Sequence, residues 1–370
     1  MPMIIDGTNG LTFPDNSRQY NGYFGFKNRI INGDMRIDQR NAGAAVTVNS
    51  GTEVFPVDRF VAQGQSADGV FTLQRSTVAP AGFTNSLLAT VTTADSSIGS
   101  TQFYFIQQKI EGFNVADLAW GTASAQTVTV SFWVRSSLTG TFAGSLTNDN
   151  ATRSYPFAYT ISAANTWEQK SVIIPGDTTG TWLTNNGIGL RVYFNIGAGS
   201  SYTTTAGAWA SQWAFNATGA TNLIATNGAT WQVTGVQLEE GVVSTNFDVL
   251  PYGTQLSLCQ RYFLLLGGVS TNDNVSAGQA FSTTSGAYSV RFPVAMRATP
   301  TLDTFTASNW SVLNGTGGLV AATAISLAGG QTSTLGCQIS ATVASGLTAG
   351  QGSQLLANTV NARLPFNSEL

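Results

Sequence analysis

The chain has no histidine, only two cysteines and few charges: 9% of its 370 residues are acidic or basic. Each shortage excludes a chemistry. Without histidine there is no Ser-His-Asp or Cys-His nucleophile system, no imidazole ligand for zinc, and no general base that titrates near neutral pH. Cys259 and Cys337 are too few for a cysteine-rich zinc site or a disulfide scaffold, and are expected as buried free thiols. A net charge of −3 provides no basic field for nucleic acid and no polybasic anchor for a membrane. No apolar run approaches the ~20 residues that span a bilayer. The first residues carry no basic segment followed by an apolar one, so no secretory leader is read there. The stretches "GTNG" and "GAGSS" are followed by neither a lysine nor a helical pattern, which excludes a phosphate loop.

What is present points to sheets. Hydrophobic residues make up 42%, with 21 Phe, 10 Tyr and 8 Trp, enough for sizeable cores. The polar surface is built from Thr, Ser, Asn, Gln and 40 Gly, which form strands and turns rather than solvated helices. The class expected is all-β, and strand signals recurring at short intervals fit a sandwich or barrel. In "QTVTVSFWVRSS", Val128, Val130, Phe132 and Val134 fall on one face and Thr129, Ser131, Trp133 and Arg135 on the other. "GIGLRVYFNIGAG" repeats the scheme, with Ile188, Leu190, Val192, Phe194 and Ile196 inward and Arg191, Tyr193 and Asn195 outward. "NRIINGDMRIDQR" reads as a strand, an Asn-Gly turn and further alternation through Met35 and Ile37. Short helical turns are expected in "NVADLAWG" and, less clearly, in "LTAGQGSQLLAN". Pro251 breaks the chain, and "QLSLCQRYFLLL" is expected to open a second strand-rich unit running to Leu370. The opening "MPMIIDGTNGLTFPDNSRQ" reads as a hairpin of Met3 to Ile5 and Leu11 to Phe13. A lone hairpin is marginal in water, so this one is expected to borrow partner strands from a second copy or another protein.

Catalysis is not expected. Most carboxylates stand in turn sequences where they cap the backbone. Glu239 and Glu240 are adjacent in a strand, point to opposite faces and cannot flank one sugar as an acid pair. Polysaccharide cleavage is therefore the least favoured reading, and no β-helix repeat supports it. Binding is better served, since neutral sugars are held by aromatic faces and planar hydrogen-bonding groups. Trp133, Arg135, Arg191 and Tyr193 leave the core face of two strands that are expected to share a sheet. Trp182, Trp209 and Trp213 stand in Gly/Thr/Ser-rich loop sequence. The residues expected to touch ligand are thus Trp133, Arg135, Arg191, Tyr193, Trp209 and Trp213, each with structural packing as the alternative. Asp58 and Arg59 in "PVDRF" are read on opposite faces of a strand, each pinning a loop or sheet edge.

Several segments, in order, resemble bacteriophage tail fibre and tail appendage proteins. They are "IIDGTNGLTFPD", then "INGDMRIDQR" with "FPVDRF", "SFWVRSS", "NTWEQKSVIIPGDTTGTW" and "VTGVQLEEGVVSTNFD", and finally "LCQRYF", "RFPVAMRATPTL" and "LPFNSEL". The resemblance covers essentially the whole chain. It implies an attachment segment at 1–20, with Ile4, Ile5, Leu11 and Phe13 making the virion contact. A jelly-roll β-sandwich distantly similar to carbohydrate-binding modules follows at 21–250, then a smaller β-sandwich at 251–370. It further implies a homotrimeric virion component, assembled in the host cytoplasm and adsorbing to host surface polysaccharide or lipopolysaccharide. A passive head, collar or tail fibre or decoration without receptor contact is the alternative. Neither nucleic acid nor membrane insertion is expected. Asp34, in "NGDM", stands where carbohydrate-binding jelly rolls often hold a structural calcium, but without a second carboxylate it is read as a turn-capping residue; no metal or cofactor is expected.

Overall fold

Alternating residues in two long strands set the centre of the molecule. The computed structural model describes residues 26–370 together with the backbone of three short strands, Ile4–Asp6, Gly10–Thr12 and Arg18–Gln19. The sandwich is built on eight strands: β1 (Ser86–Thr93), β2 (Phe103–Glu111), β3 (Val128–Ser136), β4 (Gly140–Thr147), β5 (Ser154–Ile161), β6 (Glu168–Ile174), β7 (Ile188–Ala198) and β8 (Thr230–Glu240). They pair first with last: β1 with β8, β2 with β7, β3 with β6 and β4 with β5, all antiparallel. That nesting is the jelly roll. One sheet runs β6-β3-β8-β1 and the other β5-β4-β7-β2, and each is extended to six strands by two earlier segments.

The inward faces are those the alternation predicts. Val128, Val130, Phe132 and Val134 meet Leu190, Val192, Phe194 and Ile196 in one core. Burying each such side chain contributes ~1.5–3 kcal/mol. At its centre the Phe132 ring lies 5.0 Å from Tyr159 and 5.1 Å from Phe194, and Phe194 in turn lies 5.3 Å from Trp231. Gly144 faces inward on β4, where a Cβ would sit 2.4 Å from the Phe157 ring, so the strand has room only for glycine.

After Pro251 the chain forms α1 (Tyr252–Gln260) where the sequence reading expected strand. Helical pairing is seen at both ends, where the Gln255 N–H donates to the Pro251 carbonyl at 3.0 Å and the Arg261 N–H to the Ser257 carbonyl at 3.2 Å, and the buried Gln255 and Cys259 lie about one turn apart. The strand begins later, at Phe263–Leu266, and pairs with Leu364–Asn367. Six further strands, β9 (Asp273–Ala280), β10 (Ser285–Arg291), β11 (Trp310–Leu313), β12 (Leu319–Ser333), β13 (Gly336–Val343) and β14 (Gly352–Ala357), enclose a second core around Tyr288, Trp310 and Ile339. The smaller β unit is therefore present, but as a closed barrel: β14 pairs with both β9 and β11, so no free sheet edge remains in the ring. "LTAGQGSQLLAN" supplies β14 instead of a helix. Its Ser353, Leu355 and Ala357 are buried at period two. "NVADLAWG" does coil, as two single-turn helices at Gly112–Asn114 and Ala116–Leu118.

The "INGDMRIDQR" segment forms no strand. Asn32 and Met35 take left-handed backbone conformations (φ 61° and 59°), and the Asn32 amide ties the turn to the carbonyls of Ile37 and Asp58 at 2.8 and 2.9 Å. Asp34 pairs with Arg36, whose guanidinium also donates to the Leu250 carbonyl at 2.7 Å. A carboxylate already neutralised by arginine does not fit a calcium ligand, and no cluster of three potential metal ligands occurs among the described residues. Asp58 and Arg59 form a hairpin turn instead of opposing strand faces, with Val57 pairing to Phe60 across it. Both nonetheless pin neighbouring segments, as their sequence context suggested. Asp58 accepts from the Gln39 backbone at 3.0 Å and Arg59 donates to the Lys109 carbonyl at 2.5 Å and to Glu369. At the N-terminus, Ile4 pairs with Thr12 and Ile5 with Leu11, as expected of a hairpin. A third strand comes from within the same segment, where Gln19 and Arg18 pair with Leu11 and Thr12. Met3 and Phe13 lie outside the described residues.

Sandwich and barrel are joined by ion pairs. Arg261 meets Glu111 through Nε and an Nη at 2.8 and 2.6 Å, and the Tyr262 hydroxyl donates to the same carboxylate at 2.7 Å. Beside them Glu369 engages Arg40 and Arg59, and Gln39 donates to the Phe263 carbonyl at 2.8 Å. Burial pushes the Asp58 carboxyl here from 3.8 up to about 6, against the pull of Arg40 and Gln39. The folded chain thus holds this proton more tightly than the unfolded one. The stability Asp58 contributes is complete below the unfolded value and is lost as pH rises through about 6. In denaturant titrations from about pH 4 to about pH 7, Asp58→Asn should lose ~2–3 kcal/mol less stability than the parent chain. Parallel profiles for the two proteins would show that the shift is absent.

Candidate functional site

The outer face of the β5-β4-β7-β2 sheet is roofed by the chain between residues 199 and 222. The roof is fastened by Ser154 Oγ donating to the Gln212 carbonyl (2.7 Å) and by Asn195 Nδ2 donating to Asn216 Oδ1 (3.0 Å). A short parallel pairing of Thr203–Thr204 with Asn216–Ala217 closes it on itself. Beneath it lies an aromatic layer of Phe103, Phe105, Tyr193 and Phe215, with Tyr202 and Trp213 packed against it. Tyr193 is 2% exposed, and burial raises its phenol above the ordinary range.

Where the roof ends, at the Phe103 end of β2, a groove of about 600 Å³ opens. Gln63, Gln65, Thr101, Gln102, Phe103, Tyr202 and Trp213 line it. The three rings brace one another: Tyr202 to Trp213 at 4.9 Å, Phe103 to Tyr202 at 5.2 Å and Phe103 to Trp213 at 5.4 Å, all edge to face. The position of the glutamines follows from strand register. Gln63, on the strand Phe60–Gly64 beside β2, pairs with Phe105 of β2, and the Gln65 backbone N–H donates to the Phe103 carbonyl at 2.8 Å. The Gln102 amide is held in place, donating to Ser66 Oγ at 2.8 Å and to Asp68 Oδ2 at 2.6 Å. The Gln63 and Gln65 side chains make no hydrogen bond among the described residues, leaving two planar amides beside two braced aromatic rings. The lining can stack against a flat apolar surface and exchange hydrogen bonds with hydroxyls.

Of the six residues expected to touch ligand, Trp213 alone lines this groove. Trp133 and Arg135 lie on β3, and Arg191 and Tyr193 on β7, so the pairs occupy different sheets rather than one. Arg135 donates to Gln232 Oε1 at 2.6 Å, and Arg191 to Asp149 Oδ1 at 2.9 Å. Trp133 is half-buried beside Gly235, whose left-handed conformation (φ 61°) and missing Cβ make room for Phe83. Trp209 packs edge to face on Trp120, Trp182 and Tyr155 at 5.4, 5.6 and 5.3 Å, and its Nε1 donates to the Pro175 carbonyl at 2.8 Å. It serves as a clasp, together with Trp182. The sequence reading passed over Phe103, Tyr202, Gln63 and Gln65. The glutamines carried a signal, since Val61, Gln63 and Gln65 alternate on one face of "FVAQGQ".

The fold and groove define an all-β protein in which a jelly-roll sandwich carrying an amide- and aromatic-lined groove precedes a small barrel. No protein-family model matches the chain, and no curated protein matches it. Among solved structures it is similar to the enzymatically active domain of bacteriophage CBA120 tailspike protein 4, at 13% identity and a TM-score of 0.31 over 58% of this chain and 21% of that one. The match thus spans about a fifth of the tailspike domain's length. A putative sugar binding protein from Bacteroides thetaiotaomicron aligns at 12% identity and a TM-score of 0.33, over 58% of this chain and 100% of its own. The family 11 carbohydrate-binding module of a Clostridium thermocellum cellulosomal cellulase aligns at 12% identity and a TM-score of 0.26, over 56% of this chain and 100% of its own.

Proposed function

We propose that this protein is a non-catalytic glycan-binding subunit of a bacteriophage tail fibre or related external appendage, adsorbing the particle to host surface polysaccharide or lipopolysaccharide. The observation that carries the glycan-binding reading is the open groove, which the free amides of Gln63 and Gln65 line together with the braced rings of Tyr202 and Trp213. Such a lining suits neutral hydroxylated rings with apolar C–H faces. Residues 1–20 would mount the chain on the particle and copies would associate as a homotrimer; the paired N-terminal strands and the low surface charge support that part of the reading.

The test is a glycan array probed with the full chain and with Gln63→Ala/Gln65→Ala. Each lost hydrogen bond to ligand is worth about 0.5–1.5 kcal/mol, so the double variant should bind roughly tenfold more weakly or worse, with its melting temperature unchanged. Undiminished binding would move the site elsewhere. Absence of any bound glycan, with adsorption of the particle intact after loss of the protein, would leave a passive decoration.

A further inference from the structure

We infer that the groove selects uncharged glycans over acidic ones, and that Asp68, one hydrogen bond behind its wall, is the residue that sets this preference. The inference rests on the glycan-binding reading above and narrows it to a substrate class. None of the seven lining residues carries a charge. Behind Gln102 stands the exposed Asp68 carboxylate, whose Oδ2 accepts from Gln102 Nε2 at 2.6 Å and from Ser66 Oγ at 2.9 Å. Both donors are neutral, and Asp68 makes no ion pair among the described residues, so its charge is left to act on whatever enters the groove. The same bond consumes the donor end of Gln102, while its carbonyl oxygen accepts from the Gly99 backbone N–H. Hydrogen bonding to ligand therefore falls to the other lining groups, the Gln63 and Gln65 amides and the Thr101 and Tyr202 hydroxyls, all neutral, which discriminate by shape and not by charge.

Cations on the same sheet are too far away or already engaged. Lys109 follows Phe103 by six residues along β2, about 20 Å at strand rise, beyond a Debye length of about 8 Å at physiological salt. Its ammonium is bound to Glu53 at 2.9 Å and to the Leu370 carbonyl at 2.9 Å. Arg191 is paired with Asp149. An acidic sugar entering the groove meets the Asp68 carboxylate and no counter-charge in the lining, whereas a neutral one sacrifices nothing.

Matched pairs of neutral oligosaccharides and uronic acid oligomers of the same length and linkage test this: oligogalactoside with oligogalacturonide, oligoglucoside with oligoglucuronide, and oligomannoside with oligomannuronide. Each is titrated into the full chain at low salt and again at about 1 M NaCl. The neutral member should bind about tenfold more tightly at low salt, with the gap shrinking at high salt. Asp68→Asn, which keeps a carbonyl oxygen for Gln102, should erase most of the gap while affinity for the neutral member stays within about threefold, and Asp68→Lys, which has no acceptor for Gln102, should still reverse the ratio of acidic to neutral binding. Equal binding of both classes by the parent chain, or a gap that survives Asp68→Asn, overturns the charge preference while leaving glycan binding standing. If neither class binds and Gln63→Ala/Gln65→Ala changes nothing on any array, the glycan reading itself falls, and this inference with it.

Discussion

Trp231→Ala should destabilise the sandwich by ~3–5 kcal/mol, the range for truncating a large buried aromatic. Trp231 is fully buried, its ring lies 5.3 Å from Phe194, and its Nε1 donates to the Tyr159 hydroxyl at 3.2 Å. Truncation removes the ring from the centre of the stack and leaves a cavity between two sheets that are each held by six hydrogen-bonded strands and cannot easily close on it. It also takes the partner from Tyr159, whose phenol burial has already pushed well above its ordinary range. The melting temperature should fall on the order of 10 °C. Trp133→Ala provides the contrast, because that indole is half-buried on the outer face of the same sheet, and its loss should cost about 1 kcal/mol or less. Equal losses in the two variants would mean that the inward and outward faces of the β3-β8 sheet are misassigned.

Glu111→Ala should rank beside it, at ~3–5 kcal/mol, as expected when one partner of a buried ion pair is removed. Glu111 is 1% exposed at the end of β2, and it receives two bonds from Arg261 and one from Tyr262, both on the barrel side of Pro251. Burial alone would raise its carboxyl, but the hydrogen bonds from Arg261 and Tyr262 outweigh that and hold it below the usual carboxylate range. Removing it leaves the Tyr262 phenol without its acceptor and the Arg261 guanidinium with only the Ala295 carbonyl, at 3.3 Å, at the joint between sandwich and barrel. Calorimetry should show a lower and broader transition, as the two cores stop reinforcing one another. Glu111→Gln, which keeps the shape and one acceptor oxygen, should lose less. A sharp transition at the parent temperature in Glu111→Ala would show that the joint is held by other contacts.

These contrasts also mark what was legible in the sequence. Where residues alternate cleanly, as in "QTVTVSFWVRSS" and "GIGLRVYFNIGAG", period two fixes which side chains enter the core, and both strands place them as expected except Ile188, which a register shift before Leu190 leaves half-buried outside it. Where alternation is mixed with turn formers, it misleads. "INGDMRIDQR" alternates at Met35 and Ile37, yet the Asn32 amide bonds two carbonyls and turns the chain instead. α1 was missed because its buried pair, Gln255 and Cys259, includes a polar residue and leaves only a faint apolar stripe.

The groove shows the same division. Aromatic composition made a stacking site expectable, and the outward position of Trp133 and Tyr193 followed from strand parity, but parity does not reveal what lies on top of a face. The roof between residues 199 and 222 covers Tyr193 and leaves Trp213 at its margin, and that choice depends on contacts such as Ser154 to Gln212 that are distant in sequence.

By itself, then, the sequence determined the class of this protein: an all-β chain without imidazole, carrying its polarity on amides and hydroxyls and its cores on aromatic residues at period two. Only the tertiary structure decided that β3 and β7 belong to different sheets, that the barrel closes, and that two glutamines at the end of one strand line the same groove as two rings from a distant loop. The physical reason is that side-chain direction is a local property of the strand, whereas pairing order and coverage are set by which surfaces bury each other best, a choice made across the whole chain.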